Sequence, residues 1–224
     1  MDIKAKRRLA LDLQIEARKD AIIAAAISEF IENGIDNSKI SDIAKRAEVA
    51  TITVYRYFET KPKLVIECAT KLWKSEAEKL RPLLFPEGFP SLNGFEQTSH
   101  ILGVLASLYD YFPLMLRLLE QFDNYIVREQ ITKEQLTHYE AGIIEIRAEM
   151  LEAFRKGLAD GSIRGDVDAQ MIYATTTHAI VSLSQKLLLR GEIIQSDLET
   201  DANSQLKLLS DMVLNYIKAE NEVR

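Results

Sequence analysis

Cysteine is almost absent from this chain: of 224 residues only Cys68 carries a thiol. No intrachain disulfide can form, which suits a reducing compartment. Set among Leu64, Val65, Ala69 and Leu72, the thiol reads as a small core filler rather than a redox sensor. Also missing is any run of 18 or more apolar residues, so no membrane span is expected. The basic residues at the start, Lys4, Lys6, Arg7 and Arg8, are not followed by an apolar block of signal-peptide type, and a cytoplasmic protein without a membrane partner is the expectation. There is no nucleophile elbow, phosphate loop, dinucleotide glycine pattern or motif-bound pair of carboxylates, which argues against an enzyme and implies no cofactor. His138 follows Glu134 by four residues on one helical face, but without a cysteine cluster or a His-Glu-x-x-His motif the expectation is that no metal site exists. Strand-type alternation and internal repeats are absent too, and with 47% hydrophobic residues the chain can bury a real core of helices.

Positive charge is in short supply: the net charge of -6 looks wrong for a nucleic-acid binder until the chain is divided. Residues 1–65 carry 12 lysines and arginines against 10 carboxylates, whereas residues 66–224 carry 16 against 24. The modest excess of cations thus falls in the first part, where Lys39, Lys45, Arg46, Arg56, Lys61 and Lys63 can form a local basic face.

That same part holds the most informative segment. Residues 40–61 read as two short helices joined by a tight turn, a unit built to enter a DNA major groove. Ile43, Ala44 and Ala47 give the first helix a face of small and apolar side chains; Ala44 lets the two helices cross closely. Val49 plugs the turn, and Val54 with Phe58 gives the second helix its own apolar face. Left outward are Thr51, Ile52, Thr53, Tyr55, Arg56 and Tyr57, whose hydroxyls, guanidinium and aromatic tips suit phosphates and base edges. Upstream, Ile22, Ile23, Ala26, Ile27, Phe30 and Ile31 recur at helical spacing, with Gly34 as a stop. Downstream, Thr60 can cap a helix over residues 61–81, ended by Pro82.

Ile43-Ala44-x-x-Ala47-x-Val49 followed by Thr53-Val54-Tyr55-x-Tyr57-Phe58-x-x-Lys61 resembles the signature of the TetR family of bacterial repressors. The close resemblance covers roughly residues 15 to 75; a weaker echo returns in Gly161-Ser-Ile-Arg-Gly-Asp-Val-Asp168. It implies an all-α protein with a three-helix DNA-binding domain over residues 1–60, including a basic arm at about 1–14, and a larger helical domain for effector binding and dimerisation over residues 61–224. Two positions depart from the family. Glycine is usual where this chain has Glu48, at a turn that often needs positive φ, so the turn is either reshaped or strained by roughly 1 kcal/mol. Serine is usual where it has Ala50, which removes an N-cap oxygen worth about 1 kcal/mol unless Thr51 takes over the role.

Beyond the loop at residues 83–90, helices are expected over residues 91–110, from 113 onwards, and over 132–159, 167–190 and 197–219. The last two carry stripes that suit a four-helix interface with a second copy, and the resemblance implies a homodimer through Met171, Thr175, Ala179, Ser182, Leu206, Leu209, Met212 and Val213. It also implies a small apolar or aromatic effector. The residues expected around it are Trp73, His100, Tyr109, Phe112, Met115, Phe122, Tyr125, Tyr139 and His178, with Arg117 as a possible anchor for an anionic group. For the double-stranded operator the candidates are Thr51, Ile52 and Arg56 at base edges, Thr53, Tyr55, Tyr57 and Lys61 on phosphates, and Lys39 and Ser41 as further DNA-binding residues. The expected function is a repressor released from a near-palindromic operator by its effector; the alternative is a regulator of the same architecture controlled by a protein partner or lacking a small-molecule effector.

Overall fold

The computed structural model describes residues 3–191 and 193–219, without the side chains of residues 3 and 4. Helices dominate: α1 (Ile3–Asn33), α2 (Ile40–Arg46), α3 (Thr51–Phe58), α4 (Lys61–Leu84), α5 (Gly94–Tyr111), α6 (Pro113–Arg128), α7 (Lys133–Asp160), α8 (Ala169–Arg190), α9 (Gln195–Leu198) and α10 (Ala202–Ile217). A 3-10 turn at Phe89–Ser91 precedes α5. Among the described residues there is no β-strand; one isolated antiparallel bridge joins Ile163 and Lys218.

By packing, the chain divides into two compact units that do not follow chain order. The first comprises residues 1–73 and 118–139. Its core joins Ile22, Phe30, Ile43, Val54, Phe58, Leu64 and Cys68 to Leu118, Phe122 and Tyr125 of α6. Cys68 is fully buried, and burial pushes its thiol pKa well above the ordinary range, which leaves it a filler as expected. The three helical predictions around it hold: α1 carries the apolar row, Gly34 stops it at φ +80, and the Thr60 hydroxyl accepts from Lys63 N at 3.3 Å to cap α4.

Three local expectations need correction. The stretch expected as a basic arm, residues 1–14, is helical from Ile3 onwards, with Lys6, Arg7, Arg8, Leu9, Leu11 and Leu13 exposed. Ile31 is exposed rather than buried, because the core side of α1 runs through Ile22, Ala26 and Phe30. Pro82 does not end α4, which continues to Leu84; so near a helix end the ring disturbs few backbone bonds.

The second unit comprises residues 74–117 and 140–224. Here α5, α8 and α10 pack against one another. The Gly161–Asp168 segment, read as a loop between helices, ties three helix ends together. Asp160 accepts from Gly94 N at 2.8 Å, Ser162 Oγ accepts from Phe95 N at 2.9 Å, Arg164 N donates to the Ile217 carbonyl at 3.0 Å, and Asp168 caps α8 through Met171 N at 2.8 Å. Glycine is needed where α5 and α7 meet: a Cβ on Gly94 would lie 1.9 Å from the Gly157 nitrogen. The final expected helix is in fact two, since α9 stops at Leu198 and Asp201 starts α10 by accepting from Ser204 N at 2.7 Å.

Candidate nucleic-acid interface

α2 leaves its last turn through paired hydrogen bonds, Val49 N to the Ala44 carbonyl at 2.9 Å and Glu48 N to the Lys45 carbonyl at 3.2 Å. This is a Schellman ending, which requires a left-handed residue at its C′ position, and Glu48 supplies it at φ 53. Of the two outcomes the sequence left open, the turn keeps its shape and Glu48 bears the strain. Ala50 then starts α3 at φ -70 and ψ 145, the backbone of an N-cap, but no side-chain oxygen caps the helix; Thr51 is already its first residue and does not substitute.

α3 buries Val54 and Phe58, and this fixes which residues turn outward. Thr51, Ile52, Tyr55 and Arg56 are exposed, Ile52 at 74%, whereas Thr53 and Tyr57 are half-buried. Ile52, Tyr55 and Arg56 stand at i, i+3 and i+4 and so share a face. No residue of α3 is acidic. The Arg56 guanidinium lies 5.2 Å from the centre of the Tyr57 ring, a stacked position that limits its wandering. Lys39 and Ser41, at the start of α2, are exposed on the same small unit.

The cations divide sharply by partner. Arg46 bonds to Glu32 and lies 3.2 Å from Glu29, a carboxylate almost fully buried that also accepts from Asn33 Nδ2 at 2.7 Å. Lys63 pairs with Glu59. Lys61 donates to the Asp36 carbonyl at 3.2 Å and sits 6.0 Å from the Tyr125 ring; partial burial draws its pKa down. Among the described residues that leaves Lys39, Lys45 and Arg56 exposed without a carboxylate partner. Glu29 and its role in holding Arg46 were missed in the sequence, where nothing separates it from the other acidic residues of α1.

The residues expected around an effector fall in both units. Phe122, Tyr125 and Tyr139 belong to the first unit: Phe122 and Tyr125 are core residues, and the Phe122 and Tyr139 rings are 4.8 Å apart. Burial raises the Tyr125 pKa to about 12. Trp73, also in that unit, is half-buried, and its indole Nε1 is shielded from solvent with no hydrogen-bond partner among the described residues. In the second unit Phe112 and Met115 are buried, Tyr109 is half-buried, and His100 Nε2 meets the Leu83 carbonyl at 2.8 Å beside the Phe89 ring. Arg117 is exposed and donates to the Leu188 carbonyl at 3.3 Å, a contact with the end of α8 rather than an inward-facing anchor. His178 is exposed on α8. A cavity of about 350 Å³ does lie between α5 and α10, but its walls are Ser99, Gly103, Ala106, Ser107 and Asp110 facing Asn203, Leu206, Lys207, Ser210, Asp211 and Leu214. Among the described residues no group of three or more His, Cys, Asp or Glu is placed to hold a metal, and no single helix is long and apolar enough to cross a membrane.

Of the residues expected at a dimer face, Met171, Thr175, Ser182 and Met212 are exposed, while Ala179, Leu209 and Val213 are half-buried. Leu206 is 1% exposed inside its own protomer and cannot supply such a face. Leu208 and Tyr216 stand outward instead, because α10 is apolar on two sides and periodicity alone does not tell them apart.

Comparison with known proteins agrees with this geometry. Residues 22–68 match the family model described as bacterial regulatory proteins of the tetR family. An uncharacterized HTH-type transcriptional regulator of Bacillus subtilis, YvdT, is 34% identical over 68 residues; the match spans 30% of this chain and only 35% of that relative's length. Among solved structures, a TetR-family transcriptional regulator from Mesorhizobium loti superposes with a TM-score of 0.65 at 19% identity, covering 92% of this chain and 98% of the other. The Bacillus subtilis regulator FadR, in complex with stearoyl-CoA, does so with a TM-score of 0.62 at 18% identity, covering 88% and 98%. At such identities these two establish the fold alone. Over residues 22–68 the chain is thus similar to the tetR family of bacterial regulatory proteins, and as a whole it shares the helical fold of the two solved structures.

Proposed function

We propose that the chain is a transcriptional regulator that binds a near-palindromic operator as a homodimer, as a repressor released by a small apolar or aromatic effector. The observation that carries the reading is the outward face of α3: Thr51, Ile52, Tyr55 and Arg56 stand in solvent on a short helix without a carboxylate, braced from behind by Val54 and Phe58. Thr51, Ile52 and Arg56 meet base edges; Lys39, Ser41, Thr53, Tyr55 and Tyr57 lie along the backbone. Lys61, already engaged with Asp36, contributes less.

One α3 reads too little sequence, and two must reach successive major grooves about 34–36 Å apart. The exposed row Met171, Leu208, Met212 and Tyr216 supports a pairing face on α8 and α10. For the effector, the support is the Trp73 indole N–H, buried without an acceptor, which costs about 1–3 kcal/mol until a ligand oxygen accepts from it. The FadR complex with stearoyl-CoA adds that a protein of this fold takes a ligand that carries a long acyl chain.

Selection of bound duplexes from a random pool by the purified chain tests the proposal. The expected product has two related half-sites spaced by one helical turn or a multiple of it. A chain that stays monomeric and ignores duplex DNA at low ionic strength refutes it. Thermal shift against a diverse compound set tests the effector separately, because filling the site stabilises the fold; a regulator that no compound stabilises is one controlled by a protein partner or by dimerisation alone.

A further inference from the structure

We infer that Ile52 recognises the 5-methyl group of a thymine, so that each operator half-site contains one thymine read by this side chain. The inference rests on the DNA-binding reading above and deepens it from binding DNA to a feature of the sequence bound.

Of the aliphatic side chains on α3, Val54 is 1% exposed and Ile52 is 74% exposed. A lone exposed isoleucine is ordinary on a protein surface. This one is not placed at random: it is the second residue of α3, and the N-terminal residues of a recognition helix are those that face base edges. Tyr55 and Arg56 lie three and four residues on along the same face, with Thr51 beside it. Isoleucine has neither donor nor acceptor, so it cannot read the hydrogen-bonding pattern of any base. What the major groove offers to such a group is the thymine C5 methyl, the apolar feature of the natural base pairs there. Branching at Cβ restricts the side chain to few rotamers, so little freedom is lost when the methyl is met. The face around it is compatible with close approach, since α3 has no carboxylate.

The test begins with an operator obtained by duplex selection. Each thymine is then replaced in turn by deoxyuridine, which removes one methyl and leaves base pairing intact. One thymine per half-site should weaken binding about four-fold when replaced, the factor that burying one methyl is worth, and about fifteen-fold when both half-sites are changed. Ile52→Ala should bind both forms equally, while Ile52→Val should keep most of the discrimination. Because Ile52 makes no core contact, both variants should melt with the wild type, which is checked first. Wild-type binding indifferent to every replacement overturns the inference, and so does a sensitivity that survives in Ile52→Ala. A chain that selects no duplex at all overturns the DNA-binding reading itself, a different and separately visible result.

Discussion

The sharing of cations between ion pairs and solvent fixes how strongly salt should weaken operator binding. Six lysines and arginines lie near the helix-turn-helix, but Arg46 is held by Glu32 and Glu29, Lys63 by Glu59, and Lys61 by the Asp36 carbonyl. Lys39 and Lys45 remain for phosphates beside Arg56, which meets base edges, so a dimer has about four such cations and the logarithm of affinity should fall with the logarithm of salt at a slope of about -4. Between 50 and 200 mM KCl that is a loss of about two-hundred-fold. If all six cations per protomer were engaged, the slope would be about -11 and the loss a further four orders of magnitude. Fluorescence anisotropy of a labelled operator across a KCl series separates the two. Lys39→Ala should flatten the slope by about two in the dimer, while Lys63→Ala should leave it unchanged. A wild-type slope steeper than about -9 would refute the reasoning: either the ion pairs open on DNA or the exposed Lys6, Arg7 and Arg8 at the start of α1 take part.

Four further outcomes are expected. Ala50→Ser places an oxygen on a backbone already shaped as an N-cap and should stabilise the chain by about 1 kcal/mol, raising Tm by about 2–4 °C; a melt no higher than wild type would mean that the α3 amides are satisfied by solvent alone. The sole tryptophan, Trp73, should change emission when effector binds, and Trp73→Phe should weaken effector binding while leaving the melt unchanged or slightly higher; an emission spectrum indifferent to a stabilising compound would remove Trp73 from the site. Phe122→Ala should destabilise by about 3–5 kcal/mol, because the ring is fully buried in the first unit, whereas Arg128→Gln, at an exposed ion pair, should barely move the urea midpoint; equal losses would contradict this weighting. The Arg128 hydrogen bond holds the Asp36 carboxyl below its ordinary range, so the contribution is present above the unfolded pKa of about 3.9 and is lost as pH falls through the lower folded value. The small gap between wild type and Arg128→Gln should therefore shrink as pH falls from the unfolded pKa of about 3.9 through the lowered folded value, and a gap that persists once the carboxyl is protonated in both would rule out the pair as its source.

Local chemistry was legible in the sequence wherever one residue settles a backbone question. Gly34 marks the end of α1, Thr60 the start of α4, and the conflict at Glu48 was visible because the turn demands a conformation that glutamate adopts only at a cost. Partnership was less legible. The spacing of Leu118, Phe122 and Tyr125 announces an amphipathic helix, yet nothing in it says that these side chains complete the core around Ile22 and Phe58 rather than line a cavity. Tyr139 was placed around a ligand for the same reason and packs on Phe122. In α10 both sides are apolar, so Leu206, expected at a pairing face, is core, while Leu208, which carried no expectation, stands outward. Ion pairing is likewise a property of the folded surface: Arg46 and Lys39 look alike in sequence, and only one of them meets a buried carboxylate.

On the proposed reading, an effector must favour the state that does not bind DNA, and a swing from nearly full to nearly empty occupancy needs about 5.5 kcal/mol of differential affinity. Within the first unit the second half of α6 meets the segment leading into α2 in two ways. Gln121 Oε1 accepts from Ile35 N at 3.0 Å, a bond worth about 0.5–1.5 kcal/mol net, and the exposed pair of Arg128 with Asp36 adds little. Leu118, Phe122 and Tyr125, each nearly fully buried, are worth about 1.5–3 kcal/mol apiece against the helix-turn-helix core. Only the apolar row is large enough to hold or release a switch of the required size. The polar bonds fix the register at which α6 seats on that core, and a change that slides α6 without unseating these three side chains cannot empty an operator.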